Sequence, residues 1–152
     1  MDDRVLIVDD DHHITQAFKR IFHRDAIEVL TAQSGNEALA ILEAEEMAVV
    51  ISDERMPGMA GSDLLAEVRQ LYPDTMRIML TGYADLDLAL DTINRAEVHR
   101  FLLKPCSFSE LREVVLGAVE TRAALLERTG GRETSGLEPG TESSIPRARD
   151  LE

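Results

Sequence analysis

Short, unbroken apolar runs punctuate the chain at Val5-Leu6-Ile7-Val8, Val49-Val50-Ile51, Ile78-Met79-Leu80 and Phe101-Leu102-Leu103. Runs of this length, without polar alternation, mark parallel strands covered on both faces. Ile27-Glu28-Val29-Leu30-Thr31 is more mixed and suits an edge strand. Between the runs, apolar residues recur at helical spacing: Ile14, Ala17, Phe18 and Ile21; Ala38, Ile41 and Leu42; Leu64, Leu65, Val68 and Leu71; Leu86, Ala89, Leu90 and Ile93; Leu111, Val114, Val115, Ala118 and Val119. The predicted order is therefore βα repeated through five strands and five helices. Helix starts agree with it. Ser34 and Ser107 each stand three residues before a glutamate, Glu37 and Glu110, the spacing of a capping box, and Asp11 is placed to cap the first helix.

Alternating strands and helices predict an α/β fold with a parallel sheet and right-handed crossovers. In such sheets, polar residues at the carboxyl ends of the strands gather in a crevice, where function is to be sought. The sequence places Asp9, Asp10 and Asp11 after the first strand, Asp53 after the third, Thr81 after the fourth and Lys104 after the fifth. Should Asp9, Asp10 and Asp53 converge, two like charges about 4 Å apart repel by roughly 4 kcal/mol at an effective dielectric near 20. The cluster must then bind protons or cations. Oxygen-only ligands favour Mg²⁺, which completes its shell with water and phosphate oxygens. Such a site suits phosphoryl transfer, with Asp53 as nucleophile, Lys104 as a compact positive charge, Thr81 as a hydroxyl donor and Gly82 leaving the approach open.

Composition narrows the options. The chain has 152 residues, 44% of them hydrophobic, enough for one core and no second sizeable one. A formal charge of −13 argues against direct nucleic-acid binding by this segment. The lone Cys106 cannot form an internal disulfide, and the charged start followed by few apolar residues resembles neither a signal peptide nor a membrane span, so a cytoplasmic location without membrane partners is expected. The domain is predicted over residues 1–128. Residues 129–152, rich in Gly, Ser and Pro, read as a flexible tail or interdomain linker, too short for an output domain and compatible with a longer parent protein.

These residues carry a resemblance. Val5-Leu6-Ile7-Val8-Asp9-Asp10-Asp11, Ser52-Asp53-Glu54-Arg55-Met56-Pro57-Gly58-Met59, Met79-Leu80-Thr81-Gly82 and Phe101-Leu102-Leu103-Lys104-Pro105 closely resemble the receiver domain of bacterial two-component response regulators, over roughly residues 4–128. The resemblance implies a doubly wound, flavodoxin-like three-layer sandwich with strand order 2-1-3-4-5, an order for which a member of this family is a standard example. It implies that Asp53 is the phosphoacceptor. Asp10, Asp53 and the backbone carbonyl of Arg55 would bind Mg²⁺ directly, with Asp9 helping through water, while Thr81 and Lys104 contact the phosphoryl oxygens. It further implies a Thr81 and Phe101 switch read out on the fourth helix, fifth strand and fifth helix, which could also form a homodimer, and a cis Lys104-Pro105 peptide. The implied partners are a sensor histidine kinase or phosphotransfer protein, and an output domain or downstream protein. The implied role is regulatory, not enzymatic. Phe101 departs from the tyrosine often found at its position and lacks the hydroxyl.

Asp9 and Asp11 also form the Asp-x-Asp pair of haloacid-dehalogenase-like phosphatases, an alternative with Asp9 as nucleophile. The chain lacks room for the usual cap and second acidic pair. His12 and His13 read as solvated helix residues and Cys106 as a small packing residue. Leu125 and Leu126 extend the last apolar stripe as core, dimer seam or stalk.

Overall fold

The structure, a computed structural model, describes residues 3–82 and 96–131, with side chains through residue 128. Five parallel strands, β1 (Asp3–Val8), β2 (Ile27–Ala32), β3 (Val49–Asp53), β4 (Met76–Thr81) and β5 (Arg100–Leu103), form one sheet in the order β2-β1-β3-β4-β5. The described helices are α1 (His12–Ile21), α2 (Gly35–Ala44), α3 (Gly61–Leu71) and α4 (Phe108–Gly131). Helix α4 is the fifth helix that the sequence predicts. The fourth, near residues 86–93, lies outside the described residues, as does most of the tail predicted over 129–152; α4 runs on past the expected boundary at Arg128.

The unbroken apolar runs follow from burial on both faces, because successive strand residues point to opposite sides. Val5, Ile7, Val49, Ile51, Ile78 and Leu102 pack with Phe18 and Phe22 near α1 and with Leu111, Val115 and Ala118 of α4. On the other face, Leu6, Val8, Val50 and Met79 meet Ala38 and Leu42 of α2 and Leu64, Leu65 and Val68 of α3. β2 lies at an edge, as its mixed pattern predicts.

The predicted caps form. Asp11 accepts a hydrogen bond from the His13 N–H at 2.9 Å, Ser34 from Glu37 at 3.1 Å and Ser107 from Glu110 at 3.0 Å. One box is offset: the Glu37 carboxylate accepts from the N–H of Gln33, one residue before the cap.

Leu125 is exposed and Leu126 half-buried, so the core reading of this stripe fails at Leu125. The buried part of α4 closes instead on Arg122, whose Nε donates to the Asp74 carbonyl at 3.1 Å and whose Nη2 pairs with the Glu46 carboxylate. Arg122→Ala is expected to lower unfolding free energy by roughly 1–2 kcal/mol, since a carbonyl loses its donor and the alkyl stem its packing. Denaturant unfolding checks this; an unchanged midpoint would mean that the bridge adds nothing. None of the described helices is long and apolar enough to cross a membrane.

Candidate functional site

β1 ends at Val8 and β3 at Asp53, and the two strands are neighbours, with Val8 paired to Ser52. Their parallel alignment brings Asp9 and Asp10, just past β1, to the Asp53 end of the sheet. One carboxylate oxygen from each of Asp9, Asp10 and Asp53 lies within 4.8 Å of the others. Asp9 and Asp53 are buried, while Asp10 is exposed. From the other side, Lys104 follows β5 directly and sets Nζ 2.6 Å from Asp53 Oδ1. Its N–H donates to the Thr81 carbonyl at 2.7 Å, so the end of β4 fixes its main chain. The Lys104-Pro105 peptide is cis.

The electrostatics are unbalanced in one respect. Asp9 Oδ1 accepts from the Asp11 N–H at 2.9 Å, but Oδ2 is buried without a hydrogen-bond partner. Burial is the chief cause that raises the Asp9 pKa above its ordinary value; the Asp11 hydrogen bond opposes it, and Asp53 and Asp10 add repulsion that Lys104 partly offsets. Three carboxylates and an orphaned buried oxygen fit a hard, oxygen-seeking divalent cation such as Mg²⁺. Because the folded-state pKa is raised, ionised Asp9 opposes folding at neutral pH, and this opposition fades as pH falls through the folded pKa toward the unfolded value. Asp9→Asn is therefore expected to raise the melting temperature of the metal-free protein at pH 7 and to shrink the further rise on adding Mg²⁺. Calorimetry with and without chelator checks both; a lower metal-free melting temperature in the variant contradicts the sign.

Thr81 is fully buried at the end of β4, one residue beyond Leu80, the strand partner of Asp53; among the described residues its hydroxyl makes a long contact, 3.4 Å, to the Gly82 carbonyl. Among the described residues, a Cβ added at Gly82 would meet nothing within 4 Å. Phe101 is half-buried against the core on the α2 and α3 face. Arg55 is exposed in the loop after β3.

Sequence reading missed the residues that hold this loop. Glu54 is buried; its carboxylate accepts from the Ser62 N–H at 2.9 Å and hydroxyl at 3.2 Å, while its carbonyl accepts from the Gly61 N–H at 3.0 Å. Glu54 thus caps α3 in place of Ala60, which has no capping side chain. Gly58 turns the loop at φ +79°, a conformation that favours glycine. Gly61 abuts Asp53: a Cβ there would lie 2.1 Å from the Asp53 carbonyl oxygen. No local motif signals a glutamate capping a helix eight residues on.

The residues set aside stay aside. His12 and His13 are exposed, and Asp11 is spent on the α1 cap and is not among the three gathered carboxylates. Cys106 is half-buried, its thiol pKa raised chiefly by burial and then by Glu110, which disfavours the reactive thiolate.

The likenesses to known proteins agree with this geometry. The family model of the response regulator receiver domain matches residues 5–116. The hydrogenase transcriptional regulatory protein HoxA of Cupriavidus necator is 36% identical over 78% of this chain, a stretch that is 24% of HoxA. The chain thus spans about a quarter of the length of such curated relatives. A crystal structure of an adenylate cyclase from Rhodopirellula baltica superposes with a TM-score of 0.81 at 33% identity, covering 89% of this chain and all of that one. A response regulator receiver domain protein from Clostridium thermocellum gives 0.74 at 33% identity, over 81% and 98% of the two chains. With a matching family model over most of the chain, the same strand order and an acidic cluster facing a lysine, this chain belongs to the response regulator receiver domain family of two-component systems.

Proposed function

We propose that Asp53 is the phosphoacceptor of this receiver domain and that Asp9, Asp10, Asp53 and the Arg55 carbonyl hold Mg²⁺. The observation that carries the reading is the Lys104 ammonium 2.6 Å from an Asp53 oxygen, opposite two further carboxylates. An Asp53 carboxylate oxygen attacks phosphorus, forming an acyl phosphate as the bond to the donor's leaving group breaks with its electron pair. Lys104 neutralises charge on the phosphoryl oxygens, and the Thr81 hydroxyl donates to them. Bound Mg²⁺ supplies the remaining charge neutralisation and orients the phosphoryl group.

The donor on this reading is a sensor histidine kinase or phosphotransfer protein. Residues 1–128 form the switch, and 129–152 connect to an output domain or downstream partner. Movement of Thr81 and Phe101 carries the signal to the face built by the predicted fourth helix, β5 and α4, which also suits a homodimer. The role is regulatory and cytoplasmic, with catalysis confined to the domain's own phosphorylation and dephosphorylation. The phosphatase alternative loses support because Asp11, the second member of its acidic pair, serves as a helix cap.

Incubating the protein with a small phosphodonor and following its intact mass tests the reading. A gain of one phosphoryl group is expected with Mg²⁺ and none with chelator. An adduct that forms equally well in chelator would overturn the metal-assisted part, and no adduct in either would overturn the whole.

A further inference from the structure

The register of β5 decides where Lys104 stands, and beyond the main-chain ladder, which runs on to the Lys104 N–H on the Thr81 carbonyl, little in β5 itself can set it. The strand has four residues and lies at the sheet edge, pairing only with β4 from Ile78↔Arg100 to Thr81↔Leu103. Register is ordinarily fixed by an apolar and polar alternation, because a one-residue slip turns every side chain to the other face. Phe101, Leu102 and Leu103 are all apolar, so the pattern barely distinguishes the slipped pairing. A slip would carry Lys104 about 3.3 Å along the strand and turn its side chain away from Asp53.

An unusual lock sits one step before the ladder. The His99 N–H donates to the Arg77 carbonyl at 2.8 Å, and the Arg77 N–H donates to His99 Nδ1 at 2.9 Å. One residue thus takes both main-chain groups of Arg77, its imidazole standing where a strand would offer a carbonyl. Arg77 is itself a firm post. It is buried, with Nε donating to the carbonyls of Ala96 (2.9 Å) and Glu97 (3.2 Å) and Nη1 to that of Thr75 (2.9 Å). Glu97 turns the chain at φ +49°, and Val98 is buried beside it.

We propose that His99 is a positioning residue for the phosphoryl-transfer site: by gripping the main chain of Arg77 at one end of β5, it sets the register that delivers Lys104 to Asp53 at the other. This rests on the reading of Asp53 and Lys104 given above. The role requires an acceptor at the Nδ1 position. Asparagine places its carbonyl oxygen near that point, whereas glutamine, of similar chemistry, reaches past it.

His99→Asn and His99→Gln therefore separate register from mere occupancy. Phosphorylation from a small donor is expected to remain within about twofold of the parent rate in His99→Asn and to fall about tenfold or more in His99→Gln, as for a reacting group displaced by an ångström or more. Mg²⁺ affinity, set by Asp9 and Asp10 just past β1 and by Asp53 at the end of β3, is expected not to weaken in either. Equal rates in the two variants, or Mg²⁺ affinity falling in step with rate, overturn the proposal. An independent readout uses the parent protein: a nitrogen-to-nitrogen coupling across the Arg77 N–H to His99 Nδ1 hydrogen bond in NMR spectra, whose absence overturns the proposal even where a variant does not fold. Should the parent take no phosphoryl group, the reading of Asp53 fails, while the coupling still reports on the lock.

Discussion

Asp53→Asn is expected to abolish the phosphoryl adduct, lowering its rate of formation by at least about a hundredfold, because the amide has no anionic oxygen to attack phosphorus. The fold is expected to persist. Asparagine is close in volume to aspartate, and in metal-free protein the substitution removes one of three crowded negative charges at the cost of the Lys104 ion pair. Intact mass after incubation with Mg²⁺ and donor measures the first effect, and thermal unfolding the second. Adduct formation at the parent rate contradicts the assignment of the nucleophile. The same variant separates the phosphatase alternative, which places the covalent intermediate on Asp9 and predicts continued turnover of a phosphate ester.

Gly61→Ala is the second large effect, and it acts through packing. The added Cβ would stand 2.1 Å from the Asp53 carbonyl oxygen, and 2.9 Å from both its carbon and Ser52 Oγ. These are mostly main-chain atoms at the end of a buried strand, so no flexible side-chain tip can yield. Either the start of α3 lifts or the end of β3 shifts, at roughly 1–3 kcal/mol for overpacking of this kind. A shift of β3 displaces Asp53 against Lys104, a lift of α3 withdraws the Glu54 loop that packs on it, and both disturb the Ser62 hydrogen bonds to Glu54. Phosphorylation is expected to slow about tenfold or more while Asp53 remains chemically intact. A variant as stable and as fast as the parent contradicts the close approach.

The fold was legible because its central strands β1, β3 and β4 are buried on both faces, which writes each as an apolar run, while the edge strands β2 and β5 are only partly buried. The caps at Ser34, Ser107 and Asp11 punctuate the helices between them. The strand ends were legible for a related reason: a residue just after such a run must lie at the carboxyl edge, so Asp9, Asp10, Asp53, Thr81 and Lys104 could be assigned to one place before any distance was known. The supporting contacts were not legible. Glu54 capping α3, Gly61 pressed on Asp53 and His99 gripping Arg77 depend on loop geometry and long-range register, and they leave no periodic trace. The stripe through Leu125 and Leu126 left core, seam and stalk open, and the exposure of Leu125 removes the core alternative at that residue, since helical spacing continues past the point where Arg122 closes the packed face.

The most direct test of Asp53 as phosphoacceptor is to phosphorylate the parent protein, reduce the acyl phosphate with borohydride and locate the modified aspartate by peptide mass spectrometry. Reduction at Asp53, absent when Mg²⁺ is chelated, is the expected result. Reduction at Asp9, or at neither residue after a phosphoryl adduct has formed, contradicts it.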